Sequence, residues 1–294
     1  MKGSLFSILL TLWFLSSSTF AQTPDPTIAK IKNTGTIVLG VREASPPFST
    51  MASANDPAKG YSIDLCMKVV DAVRKELKLK DLNVKQVVVT SSTRIPKVVD
   101  GTVDLECGST THTRERQEQV AFSYTTFVAG TRFLVKKAAN IKSIDDLRGK
   151  VVVVTRGTNN EKVLTAHNTE QKLGIKIVAA QDHNESFNQV QTGKAAAFAM
   201  DDVLIAGLIA KSSAPQDYDI VGKTLTIEPY ALMFRKNNPE FEAIVDNALL
   251  DIFYSGEVRK IYNNWFTTKD INFPMTSKIL EVIKTPNKHP AWPS

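Results

Sequence analysis

The feature that most constrains this chain is an alternation of strand and helix that runs through a short cycle, stops, and later runs through it again. Thr36-Ile37-Val38-Leu39-Gly40-Val41 is an apolar, β-branched run bounded by Thr34-Gly35 and a polar loop, and reads as a buried strand. Over residues 62–78, Ile63, Met67, Val70, Val73 and Leu77 recur at helical spacing, with Asp71, Arg74 and Lys75 on the wet side. A strand at 82–89, a short helix at 94–99 and a strand at 103–106 complete a βαβαβ unit, whose crossovers require parallel pairing. The cycle returns after Lys150. Val151-Val152-Val153-Val154 is a strand, followed by a helix at 159–171, a strand at 175–179, a helix at 184–192 and a strand at 195–200.

Two α/β halves in 294 residues agree with the size at which one core stops growing, roughly 250–300 residues. The 43% hydrophobic and 22% charged residues supply enough apolar surface for both. Long extended segments at 121–137 and 225–235 join the halves, and two such connections read as a double hinge. Residues 241–265 read as one helix that folds back on the first half, making it discontinuous, and 286–294 as a loose polar tail. The expected fold class is therefore α/β, two lobes joined by a double-strand hinge. Residues 22–129 and 229–294 form lobe 1, and 130–228 form lobe 2.

Ahead of these lies Lys2, an apolar stretch at 5–15, and Ser16-Ser17-Ser18-Thr19-Phe20-Ala21, the pattern of a cleavable signal peptide ending at Ala21. The apolar stretch is shorter than the roughly 20 residues of a membrane span, and no later segment is longer, so a secreted soluble protein is expected. Cys66 and Cys107 are the only cysteines. Export permits a disulfide, but a chain this large does not need one, and two buried thiols are the favoured reading. No Cys and His spacing resembles a zinc site, and neither a metal nor a cofactor is expected. The net charge of +6 comes from scattered Lys and Arg, with no basic stripe or recognition motif, which argues against nucleic acid. A positive field instead favours encounter with small anions.

In open parallel sheets ligands bind beyond the carboxyl ends of the strands. Arg42 follows the first strand, where it is placed for an anion, a surface arginine being the plainer alternative. Thr90-Ser91-Ser92-Thr93-Arg94 brings hydroxyls and a guanidinium to a helix start, where free N–H groups favour negative charge. Ser91 or Ser92 can equally serve as an N-cap. Cys107-Gly108-Ser109-Thr110-Thr111 ends the third strand, with Arg114 and Arg116 beyond it. Gly108 would let a ligand approach the backbone, Ser109 and Thr111 supply hydroxyls, and an arginine supplies a fork for a carboxylate. In the second half, Thr155-Arg156-Gly157-Thr158-Asn159 is another strand-to-helix junction, and Asp201 is a natural partner for an ammonium. Because neighbours on a strand face opposite ways, one of Asp201 and Asp202 should be structural. Trp265 and Phe266 read as packing residues.

Gly60-Tyr61-Ser62-Ile63-Asp64-Leu65, Thr93-Arg94-Ile95-Pro96, Asp104-Leu105-Glu106-Cys107-Gly108-Ser109-Thr110-Thr111, Met200-Asp201-Asp202, and Ser255-Gly256-Glu257 with Trp265-Phe266 carry a further signal. Together they resemble the glutamate/aspartate-binding proteins of bacterial ABC importers, over essentially the whole mature length. The resemblance implies the type II periplasmic binding fold and a monomer that captures L-glutamate or L-aspartate for the importer's membrane permease subunits. It implies that Arg116, Thr111 and Thr158 hold the α-carboxylate, and that Ser109 and Asp201 take the ammonium. Arg42, Ser91, Arg94 and His183 would surround the side-chain carboxylate. An enzyme on the same fold, such as a cyclohexadienyl dehydratase, would need an acid or base at the reacting carbon, for which Glu106 and Glu115 are the candidates. A purely sensory binding protein is the third reading. Glutamate and aspartate differ by one methylene, so the residue types required do not separate them.

Overall fold

The computed structural model describes residues 25–53 and 55–291; the expected signal peptide lies outside them. The chain opens with α1 (Pro26–Thr34), β1 (Thr36–Val41) and a small hairpin of β2 (Ala44–Ser45) and β3 (Ser49–Thr50). Then come α2 (Tyr61–Glu76), β4 (Asn83–Val88), α3 (Arg94–Val99), β5 (Leu105–Glu106) and α4 (Arg114–Gln117). The long β6 (Val120–Lys136) leads to β7 (Val151–Thr155), α5 (Asn159–Glu170), β8 (Lys176–Ala180), α6 (His183–Gln191) and β9 (Ala197–Asp201). The last stretch is α7 (Asp202–Lys211), β10 (Tyr218–Val221), β11 (Ile227–Arg235), α8 (Pro239–Tyr254), α9 (Glu257–Phe266) and α10 (Ser277–Lys284).

The main sheet runs β4-β1-β5-β11-β6-β9-β7-β8, with β10 also on β6. Each half repeats one arrangement: β1 lies between β4 and β5, and β7 between β8 and β9, all pairs parallel. This is what the doubled βαβαβ pattern requires. The halves meet on β6. It pairs antiparallel with β11 as far as Gly130, then with β9 from Thr131 onward. Thr131 N–H donates to the Thr226 carbonyl and Leu225 N–H to the Thr131 carbonyl, so the two crossing strands are stitched together where the partners change.

Apolar periodicity placed α2 well but not its whole face. Ile63, Val70 and Val73 are buried as expected, whereas Met67 is 39% exposed and Tyr61, Leu65, Cys66 and Val69 fill the contact instead. The segment read as one helix at 241–265 is two, α8 and α9, divided at Ser255-Gly256. A glycine in the left-handed region, φ 79°, turns the chain there. As expected, α8 packs back on α2. Trp265 is a packing residue whose indole N–H donates to Asp64 at 2.7 Å, and Phe266 is fully buried against Phe48, Tyr61 and Phe127.

Two expectations are overturned. Cys66 and Cys107 form a disulfide, with Cα atoms 6.2 Å apart, inside the range that spans such a bond. The register of α2 over the end of β5 creates that distance, and nothing in the cysteine spacing reveals it. The C-terminal segment is not loose as far as residue 291. Thr125 N–H donates to the Asn287 carbonyl and Ala291 N–H to that of His112, and Lys288 bridges Glu242 at 2.6 Å and Asp246 at 2.5 Å. Backbone pairing and a shared cation hold what composition alone marked as a tail.

Candidate functional site

The loops beyond the carboxyl ends of both sets of parallel strands converge on one cavity. Ser91, Arg94, Ser109, Thr111, Thr158, His183 and Asp201 line it, together with Asn159, Asn160, Met200 and Leu204. The space left between its walls for a water-sized sphere is only about 10 Å³, so the two sets of loops nearly meet. A wider groove beside the C-terminal segment, lined in part by Val128, Ile227 and Pro229, brings together no comparable set of buried charges.

Each wall residue has a local cause. Arg94 begins α3 after the Thr90–Thr93 turn, where Thr90 N–H donates to Thr93 Oγ1. Thr158 is the N-cap of α5, accepting from Glu161 N–H at 3.2 Å. His183 opens α6 behind the N-cap Asp182, and Asp201 ends β9 where α7 starts. Arg42 and Arg116 are not in the wall itself. Arg42 lies behind Ser91, donating from Nη2 to its Oγ at 3.0 Å. Arg116 donates from Nη1 to the Thr111 carbonyl at 2.8 Å and from Nη2 to the Gly157 carbonyl at 3.2 Å, the second bond crossing between lobes. Arg116 is buried and Arg114 exposed, which separates two arginines the sequence left equivalent.

At one end of the cavity, cations crowd together. Arg94 Nη1 donates to Thr110 Oγ1 at 2.6 Å, and that hydroxyl donates in turn to Glu106 Oε2 at 2.6 Å. Arg42 Nη1, Arg94 Nε and Ser109 Oγ are buried with no hydrogen-bond partner among the described residues. Burial, and then repulsion from Arg94, lowers the pKa of Arg42 to about 10 and of Arg116 to about 9; burial also lowers that of Arg94. Arg42 and Arg116 stay cationic at neutral pH. His183 is held well below 6.5 by burial and by Arg42 and Arg94, so its ring is neutral, with Nδ1 2.8 Å from Thr155 Oγ1. Gly108 makes room for these side chains: a Cβ there would come within 2.3 Å of Glu106 Oε1 and 3.0 Å of Arg42 Cγ.

At the other end, carboxylates crowd together. Asp201 accepts from Asn160 Nδ2 at 2.6 Å, from Thr131 Oγ1 at 3.3 Å and from the Tyr230 hydroxyl. Glu228 accepts from Asn159 Nδ2 at 2.9 and 3.0 Å and from Thr226 Oγ1 at 2.5 Å. Burial and the charge of Glu228 push Asp201 up to about 8. The neighbouring Asp202 has a different task, accepting from Gly130 and Val203 N–H groups at 3.2 and 2.8 Å, as expected of the structural member of the pair.

The family model for bacterial extracellular solute-binding proteins, family 3, covers residues 37–268. The chain belongs to this family. It is 47% identical to the L-glutamate/L-aspartate-binding protein of Pseudomonas aeruginosa, over 96% of each chain. It is 45% identical to the glutamate/aspartate import solute-binding protein of Salmonella typhimurium, over 91% of this chain and 90% of the relative. Among solved structures, an ancestral arginine-binding protein bound to arginine superposes with a TM-score of 0.70 at 29% identity, over 79% of this chain and 98% of that one. These neighbours share the type II periplasmic binding fold with this protein.

Within that fold the sequence reading missed Asn160, Glu228 and Tyr230. Asn160 follows the flagged Thr158-Asn159 junction and needed only the helical turn of α5 to reach Asp201. Glu228 and Tyr230 lie on the second crossing strand, which drew attention as a hinge and not as a source of polar groups.

Proposed function

We propose that this protein captures L-glutamate or L-aspartate by closing its lobes around it, and hands the ligand to the membrane permease subunits of an ABC importer. The observation that carries the reading is the polarity of the cavity, with unpaired cationic donors at one end and a carboxylate pair at the other. An α-amino acid with a second carboxylate offers two anions and one cation, and burying such groups is tolerable only when each finds its opposite. Arg116, Thr111 and Thr158 hold the α-carboxylate; Ser109 and Asp201 take the ammonium. Arg42, Ser91, Arg94 and His183 receive the distal carboxylate. A neutral His183 suits that place because it adds no further repulsion to the two arginines.

The protein is made with a cleaved leader, residues 1–21, and works in the periplasm as a monomer. We take lobe 1 as 22–129 and 229–294 and lobe 2 as 130–228, a division supported by the change of partner on β6 between Gly130 and Thr131. Both relatives compared above are named as binding proteins. The acid–base candidates fit binding better than turnover: Glu115 is exposed and paired with Lys162, and Glu106 is engaged by Thr110.

Calorimetric titration with glutamate, aspartate, glutamine and asparagine is the test. Amides present N–H groups to donors that need an acceptor, so they should be rejected by factors on the order of 10⁴, whereas one methylene is worth roughly 10- to 200-fold. Ligand recovered intact distinguishes capture from turnover. A preference for glutamine overturns the assignment.

A further inference from the structure

The cavity does not account for all the contacts between the lobes. Leu204, in its wall, begins one face of α7 that continues outward through Gly207 and Lys211. Lys211 Nζ donates to Thr50 Oγ1 at 2.6 Å, on the β3 hairpin strand of lobe 1. Between these points Gly207 sits directly under the loop that joins β2 to β3. A Cβ on Gly207 would lie 2.3 Å from the Pro46 carbonyl oxygen, 2.7 Å from its carbon and 3.2 Å from Pro47 Cδ. Real side chains do not make such contacts with backbone, so one of the two surfaces would have to move.

The loop is poorly placed to yield. Tyr61 N–H donates to the Pro47 carbonyl at 2.9 Å and Ser62 N–H to that of Phe48 at 3.0 Å, pinning residues 47–48 to the start of α2. Phe48 is buried among Tyr61, Phe127, Tyr230 and Phe266. Nor does α7 itself need a glycine. Gly207 lies inside the helix and is not among the positive-φ residues, so alanine would suit its backbone better. Gly157, whose close contact with Ser91 and Ser92 also runs between the lobes, has φ 77° and is strained by any side chain whether the lobes close or not.

We infer that Gly207 is a closure residue: its missing side chain lets lobe 1 seat its Pro46–Pro47 loop on α7, and this fit sets ligand affinity without touching the ligand. The inference rests on the proposed capture by lobe closure. It predicts opposite signs for two properties of one variant. Without ligand, the helix gains a better helix former, so Gly207→Ala should unfold at the wild-type temperature or higher. With ligand, closure meets the new methyl, and affinity should fall roughly 5- to 150-fold, the span overpacking a close contact carries. Because Gly207 lies outside the cavity wall, glutamate and aspartate should lose the same factor.

The experiment titrates wild type and Gly207→Ala with both amino acids by calorimetry, and records thermal unfolding of each ligand-free protein. Equal losses for both ligands with an undiminished ligand-free midpoint support the role. Affinity within twofold of wild type overturns it, as does loss for one ligand alone. A lowered ligand-free midpoint also overturns it, since the methyl would then clash irrespective of closure. Wild type that binds neither amino acid refutes the proposed function, and this inference with it.

Discussion

The two ends of the cavity carry opposite charge and the same kind of instability. Arg94 bears on both Arg42 and Arg116, and Glu228 on Asp201, while Arg116 also feels the opposite charge of Glu228; in both sets burial is the largest perturbation of the shifted groups. Their supports differ. Four of the cationic-end residues, Glu106, Ser109, Thr110 and Thr111, flank or follow Cys107, whose disulfide fixes the end of β5 to α2. The carboxylate end rests on Thr131, Thr226, Glu228 and Tyr230, all on or beside the crossing strands. The difference teaches that the cationic wall on β5 is tied to α2 by a covalent bond, whereas the carboxylate pair is held by hydrogen bonds from the strands that cross between the lobes.

The severest test removes Arg116, which spans the lobes. Arg116→Ala should abolish measurable binding of glutamate, aspartate and their amides alike, because truncating one partner of a buried charged pair costs about 2–5 kcal/mol and the α-carboxylate is common to all four. Retained affinity would mean that carboxylate is held elsewhere.

Arg94→Met probes the cationic wall alone. It should weaken glutamate by something on the order of 10²-fold and glutamine much less, shrinking their ratio in parallel titrations. An unchanged ratio would detach Arg94 from the distal carboxylate.

The carboxylate end is read by pH. Asp201 rises from about 3.8 unfolded to about 8 folded, so the stability it contributes is full below the lower value and is lost as pH climbs through the higher one. Ligand-free wild type should therefore lose more of its thermal midpoint between pH 5 and pH 8.5 than Asp201→Asn, at roughly 2–4 °C per kcal/mol. Parallel midpoints for the two proteins would remove the like-charge pair from the account. An ammonium ligand favours the ionised carboxylate, so glutamate binding at pH 7 should release up to about one proton, seen as a buffer-dependent heat.

The smallest effect is expected at the rim, where exposed Glu115 pairs with Lys162 of the other lobe. Glu115→Gln should change affinity less than about fivefold, and less again at high salt. A larger change would move part of the closure energy from the two buried ends to the surface.

Periodicity and turn residues were enough to read the doubled βαβαβ pattern, the two crossings and the strand-end loops. Those features follow from local preferences and from burial, which a linear sequence records. Seven of the nine residues singled out in those loops line one cavity, with Arg42 and Arg116 immediately behind it. What the sequence could not supply are relations between elements far apart in the chain. Cys66 meets Cys107 because α2 settles in one register over β5, and Glu228 reaches the Asp201 cluster because β11 pairs with β6 beside β9. Gly207 faces Pro46 across 161 residues of chain. Each depends on packing that is selected by the whole fold's free energy, and no single segment carries a trace of it.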